Sequence, residues 1–204
     1  MANKSKNLEI EIRGSLTKPS LSGSLVKKIT RQNKTAVQET KQVIIFYKEN
    51  DKDFRIKWDD DKESFKFVHK TKSGLQRTMR DEFTITIDKK EINDFLVILK
   101  ELGLKKGFIS PTHRIDITTP FVVWSFKLGS VIGNYWEAEA TSRLFVKFKN
   151  KKNKVKKYLE NTAKSYGLLS WSDEEFKKVR QEKWHKVKPL KNSKILKILQ
   201  NGKY

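Results

Sequence analysis

Leu8-Glu9-Ile10-Glu11-Ile12-Arg13 is the stretch from which the rest of the chain is read. Apolar and charged residues alternate through it, which is the period of a half-buried β-strand. Leu8, Ile10 and Ile12 fall on one side, and Glu9, Glu11 and Arg13 on the other. Neighbours on one side of a strand stand about 7 Å apart. Tyr135-Trp136-Glu137-Ala138-Glu139 repeats the device, again placing two glutamates on one face. Two Glu-x-Glu strands in a chain with a large excess of cations call for a physical reason. Coordination of a divalent metal by hard oxygen ligands supplies one.

That excess is 45 Lys and Arg against 24 Asp and Glu, a formal charge of +21 over 204 residues. So basic a balance points to polyanionic partners: phosphates, nucleic acid or an acidic membrane surface. Cysteine is absent, which excludes disulfides, thiolate metal sites and thiol nucleophiles. No apolar run approaches the roughly 20 residues that span a bilayer, and residues 1–7 have no hydrophobic signal-peptide core. A soluble, cytoplasmic protein without a membrane span is expected. The length suits one substantial domain, taken as residues 1–186, followed by a basic tail at 187–204. Nothing in the sequence sets the oligomeric state.

Working outward from the first strand, residues 14–23 are rich in Ser, Pro and Gly and read as a turn and short connection. Residues 21–40 fit either a helix or a loop and carry the basic cluster Lys27, Lys28, Arg31 and Lys34. Short strands rich in aromatic and β-branched residues are expected at 41–47, 54–58, 64–70 and 82–87, the pattern of an antiparallel meander. The period then changes. Ile92, Phe95, Leu96, Leu99 and Leu102 share a helical face over 88–102, with Asp88 and Glu91 as a capping box and Gly103 as the stop. Strands resume at 108–109, 114–118, 121–127 and 134–140. Residues 143–157 carry a heavy lysine load, and 158–169 read as helix. Ser172-Asp173-Glu174-Glu175 is a second capping box, opening a helix to about residue 186. The pattern is α+β with a majority of strands.

Cations occupy strands in the same alternating form as the glutamates. Arg55 and Lys57 share a face, Lys66 sits between Phe65 and Phe67, Arg77 and Arg80 precede the strand at 82–87, and Arg114 follows His113. If these strands curve into a barrel, one face of each points inward. Burying such charges costs several kcal/mol per ion unless they are paired or meet a ligand. A charged interior is therefore stable when water and an anion fill it, as a triphosphate and its metal would. On an open sheet the same faces would simply be solvated.

The seven lysines between residues 147 and 157 fit a solvated face or a contact with nucleic-acid phosphates. Trp124, Trp136, Trp171 and Trp184 fit core or interhelix packing better than base stacking. His69, His113 and His185 are scattered without metal-binding spacing, and no phosphate-cradling glycine motif is present.

The order of the charged motifs resembles the CYTH family of triphosphate tunnel metalloenzymes, which includes class IV adenylyl cyclases and thiamine triphosphatases. Glu9-x-Glu11-x-Arg13 stands where the family has Glu-x-Glu-x-Lys. Arg55-x-Lys57 resembles its Arg-x-Arg strand, Lys66 its lysine strand, and Arg80-Asp81-Glu82 its arginine before an acidic strand. Arg114 answers a Lys-x-Arg strand, with Thr112 at the lysine. Gly133 through Glu139 is close to the closing Glu-x-Glu motif. Lys127 departs from the family, which has an aspartate six residues before the glycine.

The resemblance covers about residues 8–180. It implies an eight-stranded antiparallel β-barrel with flanking helices, a triphosphate tunnel. Glu9, Glu11, Glu137 and Glu139 would be metal ligands for Mg²⁺ or Mn²⁺ and the catalytic carboxylates. Arg13, Arg55, Lys57, Lys66, Arg80, Arg114 and Lys127 would bind the substrate's phosphates. The implied reaction is hydrolysis of an inorganic, nucleoside, thiamine or RNA 5′-triphosphate. Cyclisation of ATP to cyclic AMP and pyrophosphate is the second reading. A third is non-enzymatic binding of polyphosphate or triphosphorylated nucleic acid. The basic surface adds RNA or another polyanion as a partner.

Overall fold

The computed structural model describes residues 8–18, 20–32, 35–49, 52–60, 62–72 and 79–201. For residues 8, 9, 20, 21, 48, 49, 52, 70–72 and 79–81 it describes the backbone alone. The alternating stretch forms β1 (Leu8–Ser15), and the ambiguous segment after it is helix α1 (Ser20–Gln32). Four strands follow: β2 (Ala36–Glu49), β3 (Lys52–Asp59), β4 (Ser64–Lys72) and β5 (Met79–Asp88). After helix α2 (Ile92–Glu101) come β6 (Lys106–Thr118), β7 (Val122–Ser130) and β8 (Gly133–Ala140). The chain ends in α3 (Ser142–Lys147), α4 (Lys152–Ser165), α5 (Asp173–Trp184), the short β9 (Leu190–Lys191) and α6 (Asn192–Asn201).

All strands belong to one antiparallel sheet in the order β2-β3-β4-β5-β1-β8-β7-β6-β9. β2 also pairs with β6, from Ala36 opposite Thr118 to Phe46 opposite Phe108. It therefore has β3 along one edge and β6 along the other. The strands expected at 108–109 and 114–118 are one, because β6 runs through Pro111. Opposite β2, β6 meets β9 only at 106–107 and β7 only from His113 onward. A residue without an N–H is tolerated where a strand lacks a partner on one edge.

Alternation along the strands sends apolar side chains to the face covered by helices. Ile10, Ile12, Trp124, Phe126, Trp136 and Ala138 pack with Leu25 and Ile29 of α1, Leu144 of α3, and Val155, Leu159 and Ala163 of α4. A second cluster joins Val43, Ile45, Tyr47, Ile56 and Phe65 to Leu96 and Leu99 of α2 and to Ile195 and Leu199 of α6. The segment read as a basic tail contributes β9 and α6, and Asn192 is a buried polar hub within it. Its side chain accepts from the Tyr47 hydroxyl at 3.1 Å and donates to Leu96 O and Leu104 O at 3.1 and 2.9 Å.

One local expectation fails. Asp88 and Glu91 do not form a capping box, since Asp88 makes no side-chain cap hydrogen bond. The chain leaves β5 through a 3-10 turn at Lys89–Glu91, and Glu91 already has helical angles where it caps α2. The reciprocal box needs an extended cap residue followed directly by α-helical turns. Among the described residues no helix is long and apolar enough to cross a membrane.

Leu199 is almost fully buried in the second cluster. Leu199→Ala is expected to lower unfolding free energy by about 2–5 kcal/mol. Urea unfolding checks this: the midpoint should fall with the slope unchanged, whereas an unaltered midpoint would mean that α6 adds nothing to the core.

Candidate active site

The face of the sheet turned away from α1, α2, α3, α4 and α6 carries the charges. Register sets them in rows across β6, β7, β8 and β1, with directly opposed residues about 5 Å apart. One row is Asp116, Ser125, Glu137 and Arg13; the next is Arg114, Lys127, Tyr135 and Ser15. Beyond the first row, Glu139 stands opposite Glu11. β2 adds Gln42 opposite Thr112, and Ile44 opposite Ser110.

All of these residues but Asp116 and Ser15 line a cavity together with Asp53, Arg55 and Lys57 of β3. Its volume of about 120 Å³ is several times the 10–15 Å³ or so that one water needs, so the charged walls leave room for water. Six cations (Arg13, Arg55, Lys57, Arg114, Lys127 and Arg180) face four carboxylates (Glu11, Asp53, Glu137 and Glu139). The balance favours an anionic ligand.

Pairing keeps each charge in place. Arg55 donates to both oxygens of Asp53, at 2.8 and 2.6 Å. Burial opposes the charge on Arg55, but the Asp53 hydrogen bond and the attraction of Asp53 and Glu137 outweigh it and raise its pKa. Arg114 is governed likewise: burial lowers its pKa, and Asp116, Glu137 and Asp59 more than restore it. Its Nε donates to Asp116 at 2.7 Å, and the Ser125 hydroxyl donates to the same oxygen at 2.6 Å. Arg13 pairs with Glu11, Lys127 with Glu137, and Lys57 with Glu82 at 3.7 Å. Each guanidinium has five donors in a planar fork, so a carboxylate holding one edge of Arg55 still leaves donors for a phosphate.

Helix α5 forms the remaining wall. Its capping box is present, with Ser172 Oγ accepting from Glu175 N and Glu175 accepting from Ser172 N. The approach to it is fixed by β1, because Trp171 N donates to Arg13 O at 2.8 Å. Gly14 permits this close passage: a Cβ there would lie 2.0 Å from Leu169 O. Phe176, Arg180 and Trp184, at i, i+4 and i+8, then face the cavity. Phe176 lies under the Arg13 guanidinium at 4.3 Å, and Trp184 meets Phe46 and Phe108 edge to face.

Of the expected residues, Glu11, Arg13, Arg55, Lys57, Arg114, Lys127, Glu137 and Glu139 line this cavity. Lys66 is the register partner of Lys57, but it is solvent-exposed and does not line it. The backbones of Glu9 and Arg80 are directly opposed on β1 and β5; their side chains lie outside the described residues. His113 points to the opposite face from Arg114 and contacts Glu39 at 2.5 Å. Sequence reading missed Asp53, Asp116, Ser125, Phe176, Arg180 and Trp184. Asp53 and Asp116 each stand two residues from the arginine they hold, a same-face spacing that could have revealed them.

The donor chemistry of Glu11, Glu137 and Glu139 suits a hard divalent cation. Two like charges opposed across strands, as Glu11 and Glu139 are, also favour a cation between them. Among the described residues, no three carboxylates or histidines form a ready metal cage.

Comparison with known proteins adds the class. Neither family models nor curated proteins give a match to the sequence. Solved structures do match. A Pyrococcus horikoshii protein shares 14% identity over 82% of this chain and 93% of its own, with a TM-score of 0.62. A candidate adenylate cyclase from Vibrio parahaemolyticus shares 12% over 86% and 98%, also at 0.62. A candidate adenylyl cyclase from Hippeastrum, described as revealing a dominant triphosphatase activity, shares 16% over 86% and 96%, at 0.53. At such identities the likeness is one of fold. The chain has the fold of the CYTH, or triphosphate tunnel, superfamily, as the order of its charged strands led us to expect.

Removing Arg114 should leave Asp116 half-buried and held only by Ser125. Arg114→Met is expected to cost about 1–3 kcal/mol, and Asp116→Asn in the same chain should recover part of it. A double-mutant cycle by chemical denaturation measures the coupling; strictly additive losses would show that the pair does not act as a unit.

Proposed function

We propose that β1 to β8 close into a tunnel and that the protein is a metal-dependent triphosphatase acting inside it. The β2–β6 ladder supports the closure. One observation carries the activity: a single cavity gathers six cations with Glu11, Glu137 and Glu139. Inorganic, nucleoside, thiamine and RNA 5′-triphosphates share the group that such a cavity would hold. The triphosphatase activity described for the Hippeastrum neighbour is in keeping with this reading.

Phosphoryl transfer needs positioning and neutralisation of charge more than covalent help. Arg55 and Arg114, fixed by Asp53 and Asp116, would fork onto phosphate oxygens with little reorganisation. Arg13, Lys57 and Arg180, with Lys66 and Arg80, would extend the cationic path. Glu9, Glu11, Glu137 and Glu139 would hold Mg²⁺ or Mn²⁺, whose bound state supplies charge neutralisation and an activated water. Arg13 and Lys127 would turn from Glu11 and Glu137 towards the incoming phosphates, releasing both carboxylates. The anion thus prepares the acidic patch.

The same geometry accommodates intramolecular attack by a ribose hydroxyl on ATP. Products separate the two: phosphate from hydrolysis, cyclic AMP and pyrophosphate from cyclisation. The Lys127–Glu137 contact favours a third reading, a binder without turnover, because an ammonium already occupies one carboxylate.

Incubation with tripolyphosphate, ATP and a triphosphorylated RNA, each with Mg²⁺ or Mn²⁺, is expected to release phosphate from at least one. Chelation should abolish it. Glu137→Gln should lower kcat by about a hundredfold or more, and Arg55→Ala should raise KM by about 10- to 100-fold, the worth of a charged hydrogen bond. No phosphate from any substrate, with tripolyphosphate binding intact in Glu137→Gln, would leave the binder reading standing instead.

A further inference from the structure

Two of the chain's carboxylate-free stretches meet in space. One runs between Glu11 and Glu39, the other between Glu139 and Glu160. They lie more than a hundred residues apart, yet the fold brings the C-terminal end of α4 against α1. Lys28 of α1 donates to Ser165 O at 3.3 Å and lies over the Tyr166 ring at 5.4 Å, while the Tyr166 hydroxyl donates to Gln32 at 2.9 Å. Both helices pack into the same apolar cluster on the outer side of the sheet. The cavity is on the other side.

Among the described residues the outward faces of these helices carry lysine and arginine and no exposed carboxylate. In α4, Val155, Leu159 and Ala163 are buried, and the opposite stripe is Lys154, Lys157, Asn161 and Lys164, all exposed. In α1 the exposed residues include Lys27, Lys28 and Arg31. Among the described residues none of Lys27, Lys154, Lys157 and Lys164 forms an ion pair. The one acid of α4, Glu160, sits on its other flank, 3.9 Å from Lys156. Self-repulsion of this kind costs stability, and folding does nothing here to relieve it.

We infer that the α1/α4 face binds the phosphate backbone of RNA, separately from the cavity. From Lys154 to Lys164 the stripe spans about 15 Å, enough to follow several successive phosphates. Its members are lysine and asparagine, which neutralise and hydrogen-bond phosphates without selecting bases. The exposed stripe of α4 and the exposed positions of α1 carry no large apolar side chain, which sets the face apart from helices that insert into a lipid surface.

The probe is a short single-stranded RNA with a 5′-hydroxyl, so that no triphosphate is offered to the cavity. Its binding to the full chain is followed by fluorescence anisotropy across a salt series. Replacing Lys27, Lys154, Lys157 and Lys164 by Gln should weaken binding at least tenfold and flatten the log–log salt slope by about 3, at roughly 0.7 for each phosphate no longer neutralised. Tripolyphosphate hydrolysis or binding should be unchanged in that variant, and Arg55→Ala should bind RNA as the unaltered chain does. An unchanged slope in the quadruple variant overturns the inference. So does an Arg55→Ala protein that fails to bind RNA, which would place the RNA in the cavity. Binding to phosphatidylserine vesicles without binding to RNA would assign the face to a membrane and overturn it equally.

Discussion

Charges that share one face of the sheet have to be matched, along a strand or across to the next, and that requirement shapes this molecule more than any other. Arg55 with Asp53, Arg114 with Asp116 and Ser125, Arg13 with Glu11, and Lys127 with Glu137 each bring opposite charges together on one face of the sheet. Unmatched, those groups would cost several kcal/mol apiece on removal from water. Because they fill that face, it can hold no hydrocarbon core. Most of the apolar side chains are therefore sent to the other face, which needs helices to cover it. This is why α1, α3 and α4 wrap one half of the sheet while α2 and α6 wrap the other. The charged face and the helical coat are two results of one alternation.

How much of this the sequence discloses depends on the range over which each signal acts. Local signals read well. Alternation placed β1 and β8 and told the charged side of each strand from the apolar side. Ser172 with Glu175 announced the start of α5, and Gly103, at a φ of +91°, ends the turn after α2. The Asp88 box failed for a reason that a sequence does not carry, namely the 3-10 turn between β5 and α2. In α1, Ser and Gly near its start obscured a helix that packing against the sheet makes favourable, with Leu25 and Ile29 buried.

The cavity divides along the same line. Strand residues could be assigned to it because their neighbours in sequence fix their face. Phe176, Arg180 and Trp184 could not. An amphipathic period shows that a helix has a buried side, but not what that side covers, and here it covers arginines and aromatic rings in place of an apolar sheet. Lys66 shows the converse. Its face follows from register, yet its exposure follows from where β4 lies in the sheet.

Asn192 has a consequence for biosynthesis. Its three hydrogen bonds reach β2, α2 and the connection into β6, and Ile195 and Leu199 just beyond it complete the second apolar cluster. All three residues leave the ribosome after every strand they stabilise. Until then Tyr47 has no acceptor from Asn192, and the groove between α2 and β2 is open to solvent. β1 must also wait more than a hundred residues for β8. Chains with such distant pairings fold slowly and expose apolar surface meanwhile. The second apolar cluster thus stays unfinished until α6 has emerged.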